Sequence, residues 1–328
     1  MKVLFIGGTG NISTATSRLA LEKGVDLWLL NRNKSTVTIQ GANQILCDIN
    51  DEAKATHLLS EHVWDCVVNW IAFEPKDVER DIRLFGGKTG QYIFISSASC
   101  YQTPLQFPII TENTPLDNPL WEYSQNKIAC ERILLKEFEE KGFPATIVRP
   151  SHTYSTVFPI CIGGWKEYTT VDRILRGLPI VVPGDGTSLW VLTHAEDFAK
   201  GFYGLLGLEQ SVGEAFHITS DELLTWNQIH QQLAAALGMD ANIVHVTTDR
   251  ICKADPEYIG SLLGDKATSV IFDNAKIKRF VPDFHANIPF AKGIQKTLAW
   301  FDANPDQKHI SNETNSFIDM LVRTELAN

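Results

Sequence analysis

A tyrosine and a lysine one helical turn apart are the residues of this 328-residue chain best suited to acid–base chemistry. Tyr123 and Lys127 are spaced i, i+4, so they share one face of a predicted helix. An ammonium group beside a phenol stabilises the phenolate, and we therefore expect the Tyr123 pKa to move from about 10 toward neutrality. Such a phenol exchanges a proton with a substrate hydroxyl or carbonyl.

Ser97 is the third candidate catalytic residue, because it ends the predicted strand YIFISS. Ligands bind at the carboxyl ends of strands in open α/β sheets, and there the Ser97 hydroxyl would hold the same substrate oxygen as Tyr123. The Y-x-x-x-K spacing alone is common on helices. The hypothesis therefore depends on its conjunction with Ser97 and with a glycine-rich turn.

This glycine-rich turn lies between the first predicted strand and the first predicted helix. Its glycines permit a tight turn, and the N terminus of the helix offers free N–H groups to a pyrophosphate. Ser13 takes the third glycine place of the pattern G-x-G-x-x-G, and its small side chain still permits close packing. A glycine turn that binds nothing is the alternative. The position of the turn favours a dinucleotide, and the residues predicted to contact it are Gly7, Gly8, Thr9, Gly10, Asn11 and Ile12.

The ends of the second and third predicted strands bear on the choice of cofactor. The second strand ends at Asn31-Arg32, without the acidic residue that would accept a ribose 2′-hydroxyl of NAD. Arg32, with Lys34 as a further candidate, is suited to pair with a 2′-phosphate, so NADP is predicted ahead of NAD. A solvated arginine is the alternative. Asp48 and Ile49 follow the third strand and are predicted at the adenine, although Asp48 is also placed to cap the next helix.

The elements that position these residues alternate up to Pro150. Short apolar runs of this kind are typical of strands buried on both faces of a parallel sheet. Repeated βα units predict an α/β fold with a doubly wound parallel sheet, the Rossmann arrangement. Predicted strands cover residues 1–6, 25–32, 44–47, 66–71, 91–95 and 145–148, and predicted helices cover 13–23, 53–61, 78–84 and 124–141.

The alternation weakens after Pro150, which predicts a smaller, mostly C-terminal substrate domain. A glycine- and aromatic-rich stretch, 160–170, is predicted as loop, and 226–237 is predicted as an amphipathic helix. The dinucleotide-binding domain is predicted over 1–155 with 187–220 returning to it, and the substrate domain over 156–186 and 221–328.

Composition excludes several classes of function. The formal net charge is −10 and no basic patch is evident, so nucleic acid is not an expected partner. No apolar run reaches about 18 residues and no leader precedes the first strand, so neither a membrane nor secretion is expected. The six cysteines lack C-x-x-C spacing, which indicates a reducing compartment, and we expect a cytoplasmic protein.

No metal site is expected either. His57 and His62 are five residues apart, which suits no helical metal pair. His194, Glu196 and Asp197 resemble a zinc cluster only in composition, and we interpret them as the start of a packed helix.

Together the motifs resemble the short-chain dehydrogenase/reductase superfamily, in its extended, NAD-dependent epimerase/dehydratase branch. The matching segments follow the family order across nearly the whole chain: IGGTGNIS, FISSASCY, ITENTPLDNP with EYSQNK, VRPSHTY, and VVPGDGTSLWVLTHAEDFAK. The resemblance implies that Ser97, Tyr123 and Lys127 are catalytic and that Lys127 also holds the nicotinamide ribose. It implies an NAD(P)-dependent oxidoreductase or epimerase with a small-molecule substrate, and a homodimer as the family habit.

The resemblance also implies further contacts. It puts Pro150 and Ser151 beside the nicotinamide, and Ala72 near a cofactor-contacting turn. It puts His152 where many relatives have an asparagine facing the substrate, and Ser97 and Ser99 are the other predicted substrate contacts on this side.

Three features depart from the family pattern. The GGTGNIS form suggests an atypical subgroup whose relatives include isoflavone-reductase-like proteins and chloroplast stem-loop RNA-binding proteins. A non-catalytic dinucleotide-sensing or RNA-binding protein is therefore the alternative function. Ala98-Ser99 replaces the Asp-Glu of the family's dehydratases, which disfavours dehydration.

The third departure concerns the substrate. Trp190 stands where sugar-nucleotide relatives have an arginine that clamps the diphosphate, and we predict that Trp190 contacts the substrate. The expected substrate is then smaller or more apolar than a nucleoside-diphosphate sugar. The alternative is that Lys166, Arg173 or Arg176 supplies the clamp from a neighbouring element.

Overall fold

A seven-stranded parallel sheet forms the centre of the structure, a computed structural model that describes residues 1–32 and 34–327. The strands are β1 (Lys2–Ile6), β2 (Asp26–Asn31), β3 (Asn43–Leu46), β4 (Cys66–Asn69), β5 (Tyr92–Ile95), β6 (Ile109–Ile110), β7 (Ala145–Pro150), β8 (His152–Tyr154), β9 (Ile180–Pro183), β10 (Leu189–Trp190), β11 (Leu192–His194), β12 (Ala215–Ile218), β13 (Leu224–Thr225), β14 (Ile243–Val246) and β15 (Ile271–Phe272). The sheet order is β3-β2-β1-β4-β5-β7-β12, and each neighbouring pair is parallel.

Helices cover both faces of this sheet. They are α1 (Ser13–Glu22), α2 (Glu52–Leu59), α3 (Pro75–Phe85), α4 (Glu122–Lys141), α5 (Thr169–Leu175), α6 (Ala195–Leu205), α7 (Trp226–Ala236), α8 (Thr248–Ala254), α9 (Ala275–Phe280), α10 (Phe290–Ala303) and α11 (Asn312–Leu326), with a π-helical segment at Ile259–Lys266. Every strand and helix predicted up to Pro150 is present, with ends that differ by a few residues. The predicted α/β fold with a doubly wound parallel sheet is confirmed.

The alternation of side chains along β1 explains why the sheet is buried on both faces. Val3 and Phe5 pack with the buried faces of α1, α6 and α9. Leu4 and Ile6 point to the opposite face and pack with α2, α3 and α4. Full burial of side chains of this size contributes roughly 1.5–3 kcal/mol each.

The strand order reverses between β1 and β4, because β2 and β3 extend the sheet on one side and β5, β7 and β12 on the other. Ligands bind beyond the carboxyl ends of strands at such a switch point. The glycine-rich turn follows β1 and Ser97 follows β5, so the fold brings the predicted site residues to this edge.

The other strands form two-stranded pairs outside the central sheet. β8 pairs with β11, β9 with β14, β10 with β13, and β6 with β15. A third core cluster joins these pairs to α7, α10 and α11, and it contains the buried indoles of Trp190 and Trp226. None of the described helices has both the length and the apolar character needed to cross a bilayer.

Candidate active site

The glycine-rich turn has the geometry of a site for close backbone approach. Gly7 and Gly8 adopt φ angles of 96° and 99°, in the left-handed region that favours glycine. A Cβ on Gly8 would lie 2.7 Å from Leu29 Cδ2. Ser13, at the third glycine place, accepts a hydrogen bond from the Gly10 N–H at 2.8 Å and so closes the turn. No side chain caps the start of α1, so the N terminus of this helix remains open to an anionic ligand.

Asn11 ties this turn to the edge of the substrate region. Its Nδ2 donates to Thr153 O at 2.8 Å, and its Oδ1 accepts from Thr156 N at 3.1 Å. These two hydrogen bonds fix the position of the glycine-rich turn relative to β8.

The predicted adenine end lies on the surface beyond β2 and β3. Arg32 Nη1 lies 3.5 Å from Asp48 Oδ2, and both side chains are about half exposed, at 53% and 43%. Asp48 does not cap α2, since Asp51 accepts from Lys54 N at the helix start. Asn31 Nδ2 donates to the side chain of Gln44 at 3.0 Å.

A cavity of about 470 Å³ lies at the switch point. The predicted site residues that line it are Gly10, Asn11, Ile12, Ser97, Ser99, Tyr123, Lys127, Pro150, Ser151, His152 and Trp190. The predicted site residues outside its lining are Gly7, Gly8, Thr9, Asn31, Arg32, Asp48, Ile49 and Ala72. The fold thus brings the three candidate catalytic residues together with the end of the glycine-rich turn.

The ammonium of Lys127 is held by backbone carbonyls. Its Nζ donates to Ala72 O at 2.6 Å and to Ile95 O at 2.7 Å, and the side chain is only 2% exposed. Ala72 therefore acts through Lys127 rather than from the cavity wall. Burial lowers the pKa of Lys127 from 10.5 to about 8.

The expected lowering of the Tyr123 pKa is wrong for this structure. Burial raises the pKa of Tyr123 to about 12, and a hydrogen bond with Ser97 offsets only part of the rise. The physical reason is the direction of Lys127: its ammonium points to the carbonyls and lies 5.8 Å from the centre of the phenol ring. The nearby carboxylate of Asp265 raises the pKa further. The phenol is therefore protonated at neutral pH.

Ser99 is hydrogen-bonded to Ser97, the candidate catalytic serine. Its Oγ lies 2.9 Å from Ser97 Oγ and accepts from Ser124 Oγ at 2.7 Å. This chain of hydroxyls orients Ser97 toward Tyr123.

His152 and Trp190 carry buried polar atoms that have no partner within the described residues. Both ring nitrogens of His152 and Nε1 of Trp190 are in this state, and the residues are 5% and 2% exposed. The His152 ring stacks on Trp165 with 4.4 Å between centroids, and Trp190 stacks on Trp226 at 5.4 Å. Burial holds the pKa of His152 well below its ordinary value, so the imidazole is neutral.

Among the proposed alternative clamps, only Lys166 lines the cavity. Arg173 is buried and donates to Pro179 O, to Asn315 and to Asp319. Arg176 pairs with Asp172. His194 caps α6, accepting from Glu196 N at 3.3 Å, as the interpretation of a helix start predicted.

Other residues of the cavity wall are not among the predicted contacts. Phe73, Trp121, Trp165 and Asp265 all line the cavity. Nothing in the local sequence marks Asp265, near the end of the π-helical segment.

Comparisons with known proteins agree with this architecture. Residues 80–218 match the model of the NAD dependent epimerase/dehydratase family. The chain is 28% identical over 259 residues to the chloroplast stem-loop binding protein of 41 kDa b from Arabidopsis thaliana, covering 74% of this chain and 65% of that protein. It is 22% identical over 287 residues to the 2'-dehydrokanamycin reductase of Streptomyces kanamyceticus, covering 87% of this chain and 80% of that protein.

Among solved structures, UDP-glucose 4-epimerase from Bifidobacterium longum, in complex with NAD+ and UDP, matches with a TM-score of 0.74. The identity is 19%, over 94% of this chain and 100% of that chain, so this likeness shows the fold alone. The alignment spans less than two thirds of the chloroplast protein, 65% of its length. The family-model match over residues 80–218 names the same family that the motifs resemble.

Proposed function

We propose that this chain belongs to the NAD-dependent epimerase/dehydratase family and is an NAD(P)-dependent reductase of a carbonyl compound, acting through Ser97, Tyr123 and Lys127. The observation that carries the proposal is the single cavity lined by these three side chains and by the start of α1. The match to the family and the likeness to a curated reductase support an oxidoreductase or epimerase.

The residues at the switch point fit a nicotinamide dinucleotide. The uncapped start of α1 and the left-handed glycines suit a pyrophosphate, and the buried Nε1 of Trp70 on the cavity wall has no partner among the described residues. Lys127, Pro150 and Ser151 would hold the nicotinamide end. The nicotinamide, when bound, supplies or accepts the hydride.

NADP(H) is proposed ahead of NAD(H), because Arg32 directly follows β2 and no acidic residue stands at the end of that strand. The Arg32–Asp48 ion pair is half exposed. Such surface pairs contribute roughly 0–1 kcal/mol, so the guanidinium remains available to a 2′-phosphate.

The protonation state of Tyr123 suits proton donation to a carbonyl. With a pKa of about 12, the phenol carries its proton at neutral pH and donates it to the oxygen of a substrate carbonyl. Ser97, hydrogen-bonded to the phenol, holds the same oxygen. Ala98 and Ser99 supply no carboxyl groups at the place where the family's dehydratases have them, which supports simple reduction over dehydration.

The test is a Tyr123→Phe variant. Turnover is expected to fall about 10²–10⁴-fold, the usual contribution of a general acid, while the affinity for NADPH stays close to that of the wild type. Tyr203→Phe, on α6 and outside the cavity lining, is the matched control and should keep full activity. Fluorescence titration of NADPH and absorbance of the nicotinamide report the two quantities. A Tyr123→Phe enzyme with normal turnover would refute the mechanism.

The likeness to a chloroplast stem-loop binding protein supports RNA binding as a second candidate. A net charge of −10 opposes it. RNA binding at low and at physiological salt, measured beside a cofactor titration, separates the two candidates. Tight RNA binding without cofactor binding would reverse their order.

A further inference from the structure

Two buried side chains of the cavity wall have polar atoms without hydrogen-bond partners among the described residues. Both nitrogens of His152 and the Nε1 of Trp190 are unpaired in the described part of the chain. Buried polar atoms are nearly always paired, so such atoms on a cavity wall indicate a ligand with complementary polar groups. A neutral imidazole offers one donor and one acceptor, and an indole offers one donor. Hydroxyl groups satisfy all three atoms.

Asp265 adds a carboxylate to the same wall. It lines the main cavity and also a smaller pocket that shares Ser99 and Trp190 with it. Its charge acts on Tyr123, so the carboxylate lies near the proposed proton donor. Lys266 Nζ lies 3.1 Å from Asp265 Oδ2 and is buried, which compensates the charge and holds the carboxylate in place.

Aromatic rings pack against the polar side chains of this wall and offer apolar faces to a ligand. Trp165 stacks on His152, and the Lys266 ammonium lies 5.5 Å from the Trp165 ring and 5.8 Å from the Trp121 ring. Indole faces pack against the C–H faces of saturated rings, while the surrounding polar atoms bind the hydroxyls.

Of the basic side chains on the described cavity wall, Lys166 alone could meet a diphosphate. Of the basic side chains that line the described part of the cavity, Lys127 is bonded to two carbonyls and Lys166 is exposed. Arg173 is bonded elsewhere, as shown above. Asp265 is paired with Lys266, so this pair adds no net positive charge for a phosphate.

We propose that His152, Trp190 and Asp265 form a subsite for the hydroxyl groups of a neutral cyclic polyol, a free sugar or a cyclitol, and not for a nucleoside-diphosphate sugar. Asp265 accepts from one hydroxyl, Trp190 donates to another, and His152 both donates and accepts. The subsite rests on the proposed function, because the polyol is the alcohol product of the proposed reduction: Tyr123 donates the proton to the carbonyl oxygen of the corresponding ketone, and the nicotinamide, when bound, would supply the hydride. Asp265 is then the residue that distinguishes a neutral polyol from a charged substrate, although it lies outside the predicted cofactor-binding motifs.

The experiment uses the full chain with NADP+ or NAD+ and four probes: myo-inositol, glucose, glucose phosphate and UDP-glucose. At least one neutral polyol is expected to be oxidised, as followed by nicotinamide absorbance, and to bind more tightly than its charged counterparts in calorimetry. Asp265→Asn should raise the KM for that polyol roughly 10-fold or more, because it removes a charge-assisted hydrogen bond, and should change kcat less. The Kd for the cofactor should not change.

Two further variants make the result interpretable. Asp283→Asn changes an exposed carboxylate outside the cavity lining and should leave KM unchanged. His152→Phe keeps a ring to stack on Trp165 but removes both nitrogens, and it should also raise KM, which covers the case in which Asp265→Asn leaves Lys266 unpaired and fails to fold.

Binding of UDP-glucose in preference to both polyols would overturn the polyol subsite, as would unchanged KM in the folded Asp265→Asn and His152→Phe variants. Cofactor binding with no polyol binding would overturn the subsite alone. A wild-type protein that binds neither cofactor would overturn the proposed function together with it.

Discussion

Replacement of Lys127 by methionine tests the electrostatics of the proposed active site. The Lys127 side chain lies against Phe73 and Phe94, whose ring centres are 4.6 and 4.9 Å from Nζ. Burial lowers its pKa from 10.5 to about 8, a difference that corresponds to roughly 3 kcal/mol between the folded and unfolded chains. The unfolded chain holds this proton more tightly, so below pH 8 the folded protein is destabilised by the full amount.

This destabilisation is relieved as pH rises from about 8 to 10.5, because the folded protein then releases the proton first. Between about pH 7 and about pH 9.5 the unfolding free energy of the wild type should rise by about 2 kcal/mol relative to Lys127→Met. Loss of the hydrogen bonds to Ala72 and Ile95 destabilises the variant at both pH values and cancels from this comparison.

Urea unfolding of both proteins at both pH values measures the effect. Lys136→Met, an exposed position on the same helix α4, is the matched control and should show a pH-independent difference from the wild type. If the difference between wild type and Lys127→Met changes by less than about 0.5 kcal/mol across this range, the ammonium is not destabilised by burial and the reasoning fails.

Two further predictions concern the cofactor end of the site. Gly8→Ala should destabilise the protein by roughly 2–5 kcal/mol in urea unfolding, from backbone strain together with the clash against Leu29. Gly24→Ala, with a φ of 78° and nothing near its Cβ, isolates the strain and should cost less; equal losses would contradict the role of the clash. Arg32→Ala should lower the ratio of NADPH to NADH affinity in fluorescence titrations, and an unchanged ratio would remove the argument for NADP.

The strands of the central sheet were predictable because the pattern that identifies each strand lies within a few consecutive residues. Each of β1, β4 and β5 is a short run of apolar residues buried on both faces, and such runs are recognisable in isolation. The pairs outside the sheet, such as β6 with β15, consist of two residues each and join segments far apart in the chain. No periodicity develops over two residues, so tertiary packing alone defines them.

The candidate site divides in the same way. Tyr123 and Lys127 lie on one helix and Ser97 follows strand β5, so their convergence was predictable. The direction of the Lys127 ammonium was not, because i, i+4 spacing brings two side chains together at their Cβ atoms only. Carbonyls of Ala72 and Ile95, from two other strand ends, compete for the ammonium and bind it.

The binding of the Lys127 ammonium by backbone carbonyls also affects the protonation state of Tyr123. The Lys127 ammonium is bonded to backbone carbonyls rather than to the phenol, and Asp265 places a negative charge near the phenol. Both arrangements keep Tyr123 protonated. A protonated phenol is ready to donate to a carbonyl oxygen, whereas oxidation of a hydroxyl requires the phenolate. Asp265 therefore links two proposals, since the carboxylate that binds a substrate hydroxyl also raises the pKa of the proton donor. Asp265→Asn should therefore lower the Tyr123 pKa and move the pH profile of kcat to lower pH, and an unchanged profile would contradict this link.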